Sequence, residues 1–239
     1  YKTQIEIAKR VDYVYDFALP VLVLDTLFNK NASSLKKWLE VSPRNAITVL
    51  DTHDGIGIVD VAGEGNKPGL INNDILNEIV KQMHINSNGD SLKATGEAAS
   101  NLDLYQVNCT YFDALGRDEN AYLIARAIQF FVPGIPQIYY VGLFAGENDM
   151  ELLDKTNVGR DINRHYFTKN EIKSNLEKPL VKDLKELMLL RNNHTAFNGD
   201  FNLIETSENV LNIKWINNNH SAELFIDLIA MKMQTKFSS

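Results

Sequence analysis

The run Ala-Ile-Thr-Val-Leu-Asp at residues 46–51 limits the possible folds of this chain more than any other feature. It is almost wholly apolar, which suits a strand covered on both faces, as in a parallel sheet flanked by helices. It then discharges into Asp51-Thr52-His53-Asp54-Gly55, so polar groups gather at its C-terminal end. In a (β/α)8 barrel that end is the face carrying the active site.

The neighbouring segments fit the same plan. Over the first two thirds of the chain, short β-rich runs alternate with helical patterns, the signature of βα units. Residues 14–19 read as a strand stopped by Pro20, residues 34–40 as a helix, and 46–51 as the next strand. A long excursion, 55–116, follows. Within it Ile75, Leu76, Ile79, Val80 and Met83 place an amphipathic helix over 74–85. A loop region of that length is usually a functional insertion or a small subdomain. The pattern resumes with a helix over 119–131, a Pro133-Gly134 break, and a strand over 137–141 that takes Tyr139 and Tyr140 into the core. Pro179 opens another helix, a position where its missing N–H costs nothing. From Phe201 the period changes to two, and 201–205, 210–215 and 222–226 read as antiparallel strands.

Apolar residues make up 44% and charged residues 23% of the 239, ordinary for a globular chain with a sizeable core. The net charge of −7 and the lack of any Lys/Arg run speak against nucleic acid or an anionic membrane as partner. No apolar run reaches the length needed to span a bilayer. The single cysteine, Cys109, excludes an internal disulfide and suits a reducing, cytoplasmic setting. The Asn-x-Ser/Thr matches at Asn31, Asn108, Asn193 and Asn219 read as chance in an Asn-rich chain without a secretory signal. The sequence has no initiating Met and opens on residues that read as a helix already under way, so a fragment is expected.

His53 and Asp54 permit three readings: a metal pair, a structural cap, or a catalytic pair. Two adjacent ligands without further His, Asp or Glu at ligand spacing support a metal only weakly. Residues 55–60 partly match a dinucleotide loop, but the last glycine is missing.

Five motifs occur in order: VYDFALP (14–20), TVLDTHDGIG (48–57), ASNLDLYQVN (99–108), PGIPQIYYVG (133–142) and GRDINRHY (159–166). Together, over residues 1 to about 202, the chain resembles the sucrose phosphorylases, a bacterial branch of the α-amylase-type (family 13) glycoside enzymes. The resemblance implies an α/β fold, the second half of a (β/α)8 barrel with a small inserted subdomain, followed by a C-terminal antiparallel β-domain. Segments 14–19, 48–51 and 137–141 would be barrel strands six, seven and eight. The divisions expected are 1–54, 55–116, 117–197 and 198–239. The last would be shortened, since 231–239 matches nothing in the family.

The same resemblance implies glucosyl transfer from sucrose to inorganic phosphate with retention, through a nucleophile and a carboxyl that acts first as acid and then as base. Asp54 matches the carboxylate that stabilises the transition state, and His53 a residue that hydrogen-bonds the glucose hydroxyls. Arg160 matches a guanidinium that holds the glucose ring, for which its forked donors are suited. Asp103, Tyr105 and Gln106 match a mobile acceptor loop serving fructose and phosphate in turn. The nucleophile and acid/base belong to strand-four and strand-five motifs that lie upstream of Tyr1. Glu6 does not stand in the acid/base motif. Cys109 occupies a place where a small hydroxyl residue is usual. No metal and no organic cofactor is implied. The partners expected are sucrose, phosphate and the first half of the barrel, with a homodimer as a candidate assembly. The alternatives are a related hydrolase or transglucosylase, a phosphorylase of a phosphorylated sucrose or a glucosyl-glycerate, or a non-catalytic truncated product.

Overall fold

The computed structural model describes residues 1–63, 68–95 and 106–238. Helix α1 (Lys2–Ala8) precedes β1 (Val14–Asp16), α2 (Leu19–Phe28), α3 (Ser33–Val41) and β2 (Ala46–Thr48). The excursion then holds β3 (Ile56–Gly57), α4 (Asn73–Asn86), α5 (Asp90–Thr95), β4 (Gln106–Val107) and α6 (Tyr111–Ala114). After it come α7 (Glu119–Phe131), β5 (Ile135–Pro136), α8 (Tyr140–Leu143), α9 (Met150–Thr156), α10 (Lys169–Leu176) and α11 (Pro179–Asn193). Strands β6 (Asp200–Leu203), β7 (Val210–Asn217), β8 (His220–Asp227) and β9 (Lys232–Ser238) are last. Among the described residues no helix is long and apolar enough to cross a membrane.

Strands β1, β2 and β5 form a parallel sheet in that order, with Val14 beside Ala46 and Ile47 beside Ile135. Ala46 and Thr48 are buried on one face. Tyr15, Ile47 and Ile135 share the other, where Tyr15 is 40% and Ile135 51% exposed. The run 46–51 itself is buried apart from half-buried Ile47; side chains alternate across a strand, and the exposed ones on the Ile47 face belong to β1 and β5.

Strands β1 and β2 are shorter than the runs 14–19 and 46–51. Strand β1 ends at Asp16 because the buried Asp16 carboxylate accepts hydrogen bonds from the N–H groups of Ala18 and Leu19, both at 3.1 Å. Those bonds start α2, and Pro20 sits in its first turn instead of stopping a strand. Trp38 Nε1 from α3 donates to the same carboxylate at 3.0 Å. Burial pushes the Asp16 carboxyl above its ordinary pKa, although these donors oppose the shift. Helix α2 is buried from Leu19 to Leu27, with α3, α4 and α7 packed on it. Helix α4 begins where Asn72 Oδ1 accepts from Ile75 N–H, and it buries Leu76, Ile79 and Met83.

The C-terminal sheet is an antiparallel meander, β6 to β9 in order. Leu211 and Ile213 of β7 and Ala222, Leu224 and Ile226 of β8 have no exposed surface. Trp215 Nε1 donates to Phe131 O at 2.6 Å, tying this sheet to the end of α7. The tail expected to match nothing is strand β9, which pairs with β8 along its whole length, from Asp227–Lys232 to Ser221–Ser238. A turn at Asp227 makes this possible, since Asp227 Oδ1 accepts from the N–H groups of Ile229 and Ala230.

Beneath the end of β2 lies a buried ion pair. Arg126 of α7 has no exposed surface, and its Nη2 lies 2.8 Å from Asp51 Oδ1. Tyr122 Oη accepts from Arg126 Nη2 at 2.7 Å, and Gln129 Oε1 accepts from Nη1 at 2.9 Å. Gln129 Nε2 in turn donates to Thr48 O and Gln137 O. Burial opposes the guanidinium's charge, but Asp51 and Tyr122 outweigh it and keep the group protonated. A Cβ on Gly142 would stand 2.2 Å from Arg126 Nη2, so the pair also requires a glycine there. Removing one member of a buried pair strands the other charge. Arg126→Met is expected to lower the free energy of unfolding by about 3–5 kcal/mol, read by urea denaturation, with Asp51→Leu/Arg126→Met recovering most of the loss.

Candidate active site

The chain leaves β2 at Thr48, where its carbonyl accepts from Gln137 N at 2.9 Å, and runs buried through Val49, Leu50 and Asp51. It then makes a tight turn in which Thr52 and Gly55 exchange backbone hydrogen bonds. Asp54 N–H donates to Thr52 Oγ1 at 3.2 Å. Gly55 has a φ of 108°, and a Cβ on it would meet Val107 O at 2.4 Å, so the turn can close against β4 only with glycine.

Asp54 lies at the C-terminal end of the parallel sheet, where the apolar run predicted polar groups. Arg160 Nη1 is 2.8 Å from its Oδ1 and Arg164 Nη2 is 3.7 Å away. That oxygen is sealed from solvent, and the two guanidinium contacts are ion pairs outside hydrogen-bond alignment. His53 Nε2 stands 3.3 Å from Asp54 Oδ2, with its ring largely exposed. The arginines come from a tight helical turn, Gly159–Asn163, and the residue after it. That turn is stitched to the 52–55 turn twice more: Asn163 Nδ2 donates to Thr52 O at 3.0 Å, and Arg164 Nε to His53 O at 2.9 Å.

A cavity of about 60 Å³ opens beside Asp54, with Phe17, Thr52, Gly57, Asp60 and Gln106 on its walls. Gln106 is fixed there by pairing with Gly57 in the β3–β4 ribbon. Asp54 and Gln106 thus share the cavity, while His53 and Arg160 stand against the Asp54 carboxylate. Asp103 and Tyr105 lie outside the described residues. Asp60, whose carboxyl burial raises, was not singled out in the sequence, and neither were Asn163 and Arg164. The last two stand in the GRDINRHY motif; a second Arg four residues after the first was the available signal.

Two expectations around the site are corrected. Residues 137–141 are not a strand: β5 ends at Pro136, Tyr139 caps α8, and Gly142 lies in that helix. Tyr122 Oη donates to Gly142 O and so draws the chain off the sheet toward the Arg126–Asp51 pair. Tyr140 is accordingly 41% exposed, and its hydroxyl donates to His165 O at 2.9 Å. Strand β2 ends at Thr48 instead of Asp51; Gln137 N–H closes its last parallel-ladder bond to the Thr48 carbonyl, and Gln129 Nε2 shares that oxygen. Cys109 is fully buried, and burial pushes its thiol far above the ordinary range. Among the described residues no cluster of three or more His, Cys, Asp or Glu could hold a metal ion.

Chemically, the site offers one carboxylate as fixed negative charge, two guanidiniums as forked donors, and an imidazole and a carboxamide that can both donate and accept. Groups of these kinds can hydrogen-bond a polyhydroxyl ligand, and a fixed carboxylate can stabilise positive charge developing beside it.

The chain is 58% identical to a sucrose phosphorylase of Agrobacterium vitis over 227 residues, 95% of this chain and 46% of that protein. It is 50% identical to a sucrose phosphorylase of Bifidobacterium adolescentis over 218 residues, 90% of this chain and 43% of that protein. A sucrose 6(F)-phosphate phosphorylase of Thermoanaerobacterium thermosaccharolyticum is 41% identical over 238 residues, 97% of this chain and 47% of that protein. The chain thus spans about half the length of the curated relatives it matches. The crystal structure of sucrose 6F-phosphate phosphorylase from Thermoanaerobacter thermosaccharolyticum superposes with a TM-score of 0.88 at 39% identity, covering all of this chain and 48% of that one. An α-amylase from H. orenii shares the fold, with a TM-score of 0.58 at 15% identity over 94% of this chain and 41% of that one. No protein-family model matches the chain.

The Gly55 geometry and the half-exposed ion pairs should separate cleanly in stability. Gly55→Ala is expected to cost about 1–3 kcal/mol, whereas Asp54→Asn should change unfolding free energy by less than about 1 kcal/mol. Urea denaturation of the two variants beside the parent chain tests both.

Proposed function

We propose that the chain belongs to the sucrose phosphorylase group of α-amylase-type glycoside enzymes, whose C-terminal half it resembles, and that it supplies half of the active site for glucosyl transfer from sucrose to inorganic phosphate. The products are α-glucose 1-phosphate and fructose. The observation that carries the reading is Asp54 at the C-terminal mouth of the parallel sheet, beside a cavity and faced by Arg160.

In this reading Asp54 stabilises the oxocarbenium-like transition state without bonding to it. When a glucosyl ring arrives, its hydroxyls compete for the Arg160 and His53 donors now turned on Asp54, leaving the carboxylate to face the ring. Gln106, with Asp103 and Tyr105, hydrogen-bonds fructose and phosphate in turn. The nucleophile and the acid/base carboxyl stand on barrel strands not contained in these 239 residues. Among the described residues the outer edges of β1 and β5 have no partner strand, and Tyr15 and Ile135 are exposed on one face of the sheet; in this reading the first half of the barrel covers these surfaces. Sucrose is preferred over a phosphorylated sucrose as donor because the sucrose phosphorylases are the more similar relatives, at 58% and 50% against 41% identity.

The test follows glucose 1-phosphate release from sucrose by the chain alone and by the chain assembled with a separately produced N-terminal half of a sucrose phosphorylase. The assembled pair is expected to be active, and Asp54→Asn to lower its turnover by roughly a hundredfold or more. An assembled pair active only on sucrose 6-phosphate overturns the donor. Turnover by the chain alone overturns the placement of the two reacting carboxylates outside it.

A further inference from the structure

The turn that carries Arg160 and Arg164 is held from behind by a group of charges that the glucosyl chemistry leaves unused. His165 follows Arg164 directly in sequence. Its Nδ1 lies 2.5 Å from Asp149 Oδ2, and its Nε2 lies 3.2 Å from Glu171 Oε1. Both carboxylates are themselves fixed. Asp149 caps α9, its Oδ1 accepting from Leu152 N–H at 2.8 Å, and its own N–H donates to Ile162 O at 2.7 Å within the arginine turn. Glu171 belongs to the capping box of α10, where Oε2 accepts from Thr168 N–H at 2.6 Å. A neutral imidazole has one N–H and cannot donate to both carboxylates, whereas the protonated ring donates from each nitrogen.

We propose that His165 is a positioning residue: its protonated ring, bonded on both sides, ties the arginine turn to the first turns of α9 and α10, and so keeps Arg160 and Arg164 directed at Asp54. The turn is thereby gripped from two sides, by His165 and Asp149 behind and by the Thr52, His53 and Asp54 contacts in front. The consequence for glucosyl transfer rests on the reading given above; the consequence for the turn does not.

Other charged and titratable groups surround the ring. Tyr140 of α8 donates to His165 O, and the Phe167 ring packs edge-on at 4.7 Å. Glu147, Glu151 and Lys178 line a cavity of about 370 Å³ together with His165, and Arg164 is the cation beside His165 in the chain. Burial by itself lowers the imidazole's pKa, but the hydrogen bonds to Asp149 and Glu171 outweigh it and hold the value above the ordinary one. A raised value in the folded state makes the clamp complete below the ordinary imidazole pKa and loses it as pH rises through the raised one.

Hydrogen exchange on the full chain tests this at the N–H groups of Asp161 and Arg164, which are bonded within the turn to Val158 O and Asp161 O. After correction for the intrinsic pH dependence of exchange, protection in the parent chain is expected to fall as pH passes the His165 titration. His165→Gln should exchange roughly three- to tenfold faster at low pH and show no pH step. Asp149→Asn keeps an oxygen for the α9 cap but loses the charge, so its step should move to lower pH. Parent-like protection and pH profile in both variants overturn the proposal. In the chain assembled with an N-terminal half, His165→Gln should also raise the KM for sucrose; a loosened turn with unchanged kinetics overturns the positioning role. A loosened turn in a parent assembly that does not act on sucrose supports the clamp and strikes only the glucosyl-transfer reading.

Discussion

Arg126 has no exposed surface, so every part of its charge must be answered by protein, and the answers constrain the backbone around it. Asp51 neutralises it from the end of the β2 segment, Tyr122 bonds it along α7, and Gln129 passes the network on to the carbonyls of Thr48 and Gln137. A buried charge that loses one partner is costly by several kcal/mol, so this arrangement leaves little freedom to the backbone around it. The last ladder bond of β2, from Gln137 N–H to the Thr48 carbonyl, is held by Gln129 from the side, and β5 must bend away early enough for Gly142 to pass beside the guanidinium.

The candidate site is built on that fixed point. Asp54 stands three residues beyond Asp51, so the direction in which the carboxylate faces depends on the buried pair below it and on the Gly55 turn above. The arginine turn is a separate piece of chain, more than a hundred residues later, and reaches Asp54 only because Asn163 and Arg164 also bond the carbonyls of Thr52 and His53. No single one of these half-exposed contacts is strong; their number makes the geometry definite. The site is buried at its floor, where Arg126 meets Asp51, and partly exposed at its rim, where Asp54 meets Arg160 and His53.

How much of this was legible beforehand differs by element. Helices with a clear apolar stripe or a good start signal came out as read: 119–131 has the observed bounds of α7, and the reading at 74–85 falls one residue short at each end of α4. Asp54, His53, Arg160 and Gln106 were candidates from their motifs; Asp54 and Gln106 share one cavity, and His53 and Arg160 stand against the Asp54 carboxylate. The readings at 210–215 and 222–226 fall short of β7 and β8. Those at 14–19 and 46–51 run past β1 and β2, because apolar β-branched and aromatic residues signal burial, and burial alone does not say whether the backbone pairs. Tyr139 and Tyr140 show the error plainly: they look like a strand core, yet one caps a short helix and the other donates its hydroxyl to His165 O. The tail failed for the opposite reason. Strand β9 is mostly exposed and polar, so little in its own composition announces it, and its pairing comes from the neighbour β8.

By itself the sequence determined the alternation of βα units, the change to a two-residue period near Phe201, and the gathering of Asp54 and its neighbours after an apolar run. Those are local properties, written in periodicity and in the order of residue types. Only the tertiary structure decided that Arg126 answers Asp51, that Arg164 joins Arg160 at Asp54, and that His165 bridges Asp149 and Glu171. Each of these joins groups whose separation in sequence bears no relation to their distance in space. A charged residue on an apolar helix announces that it needs a partner, but only the packing of the whole chain settles which one it finds.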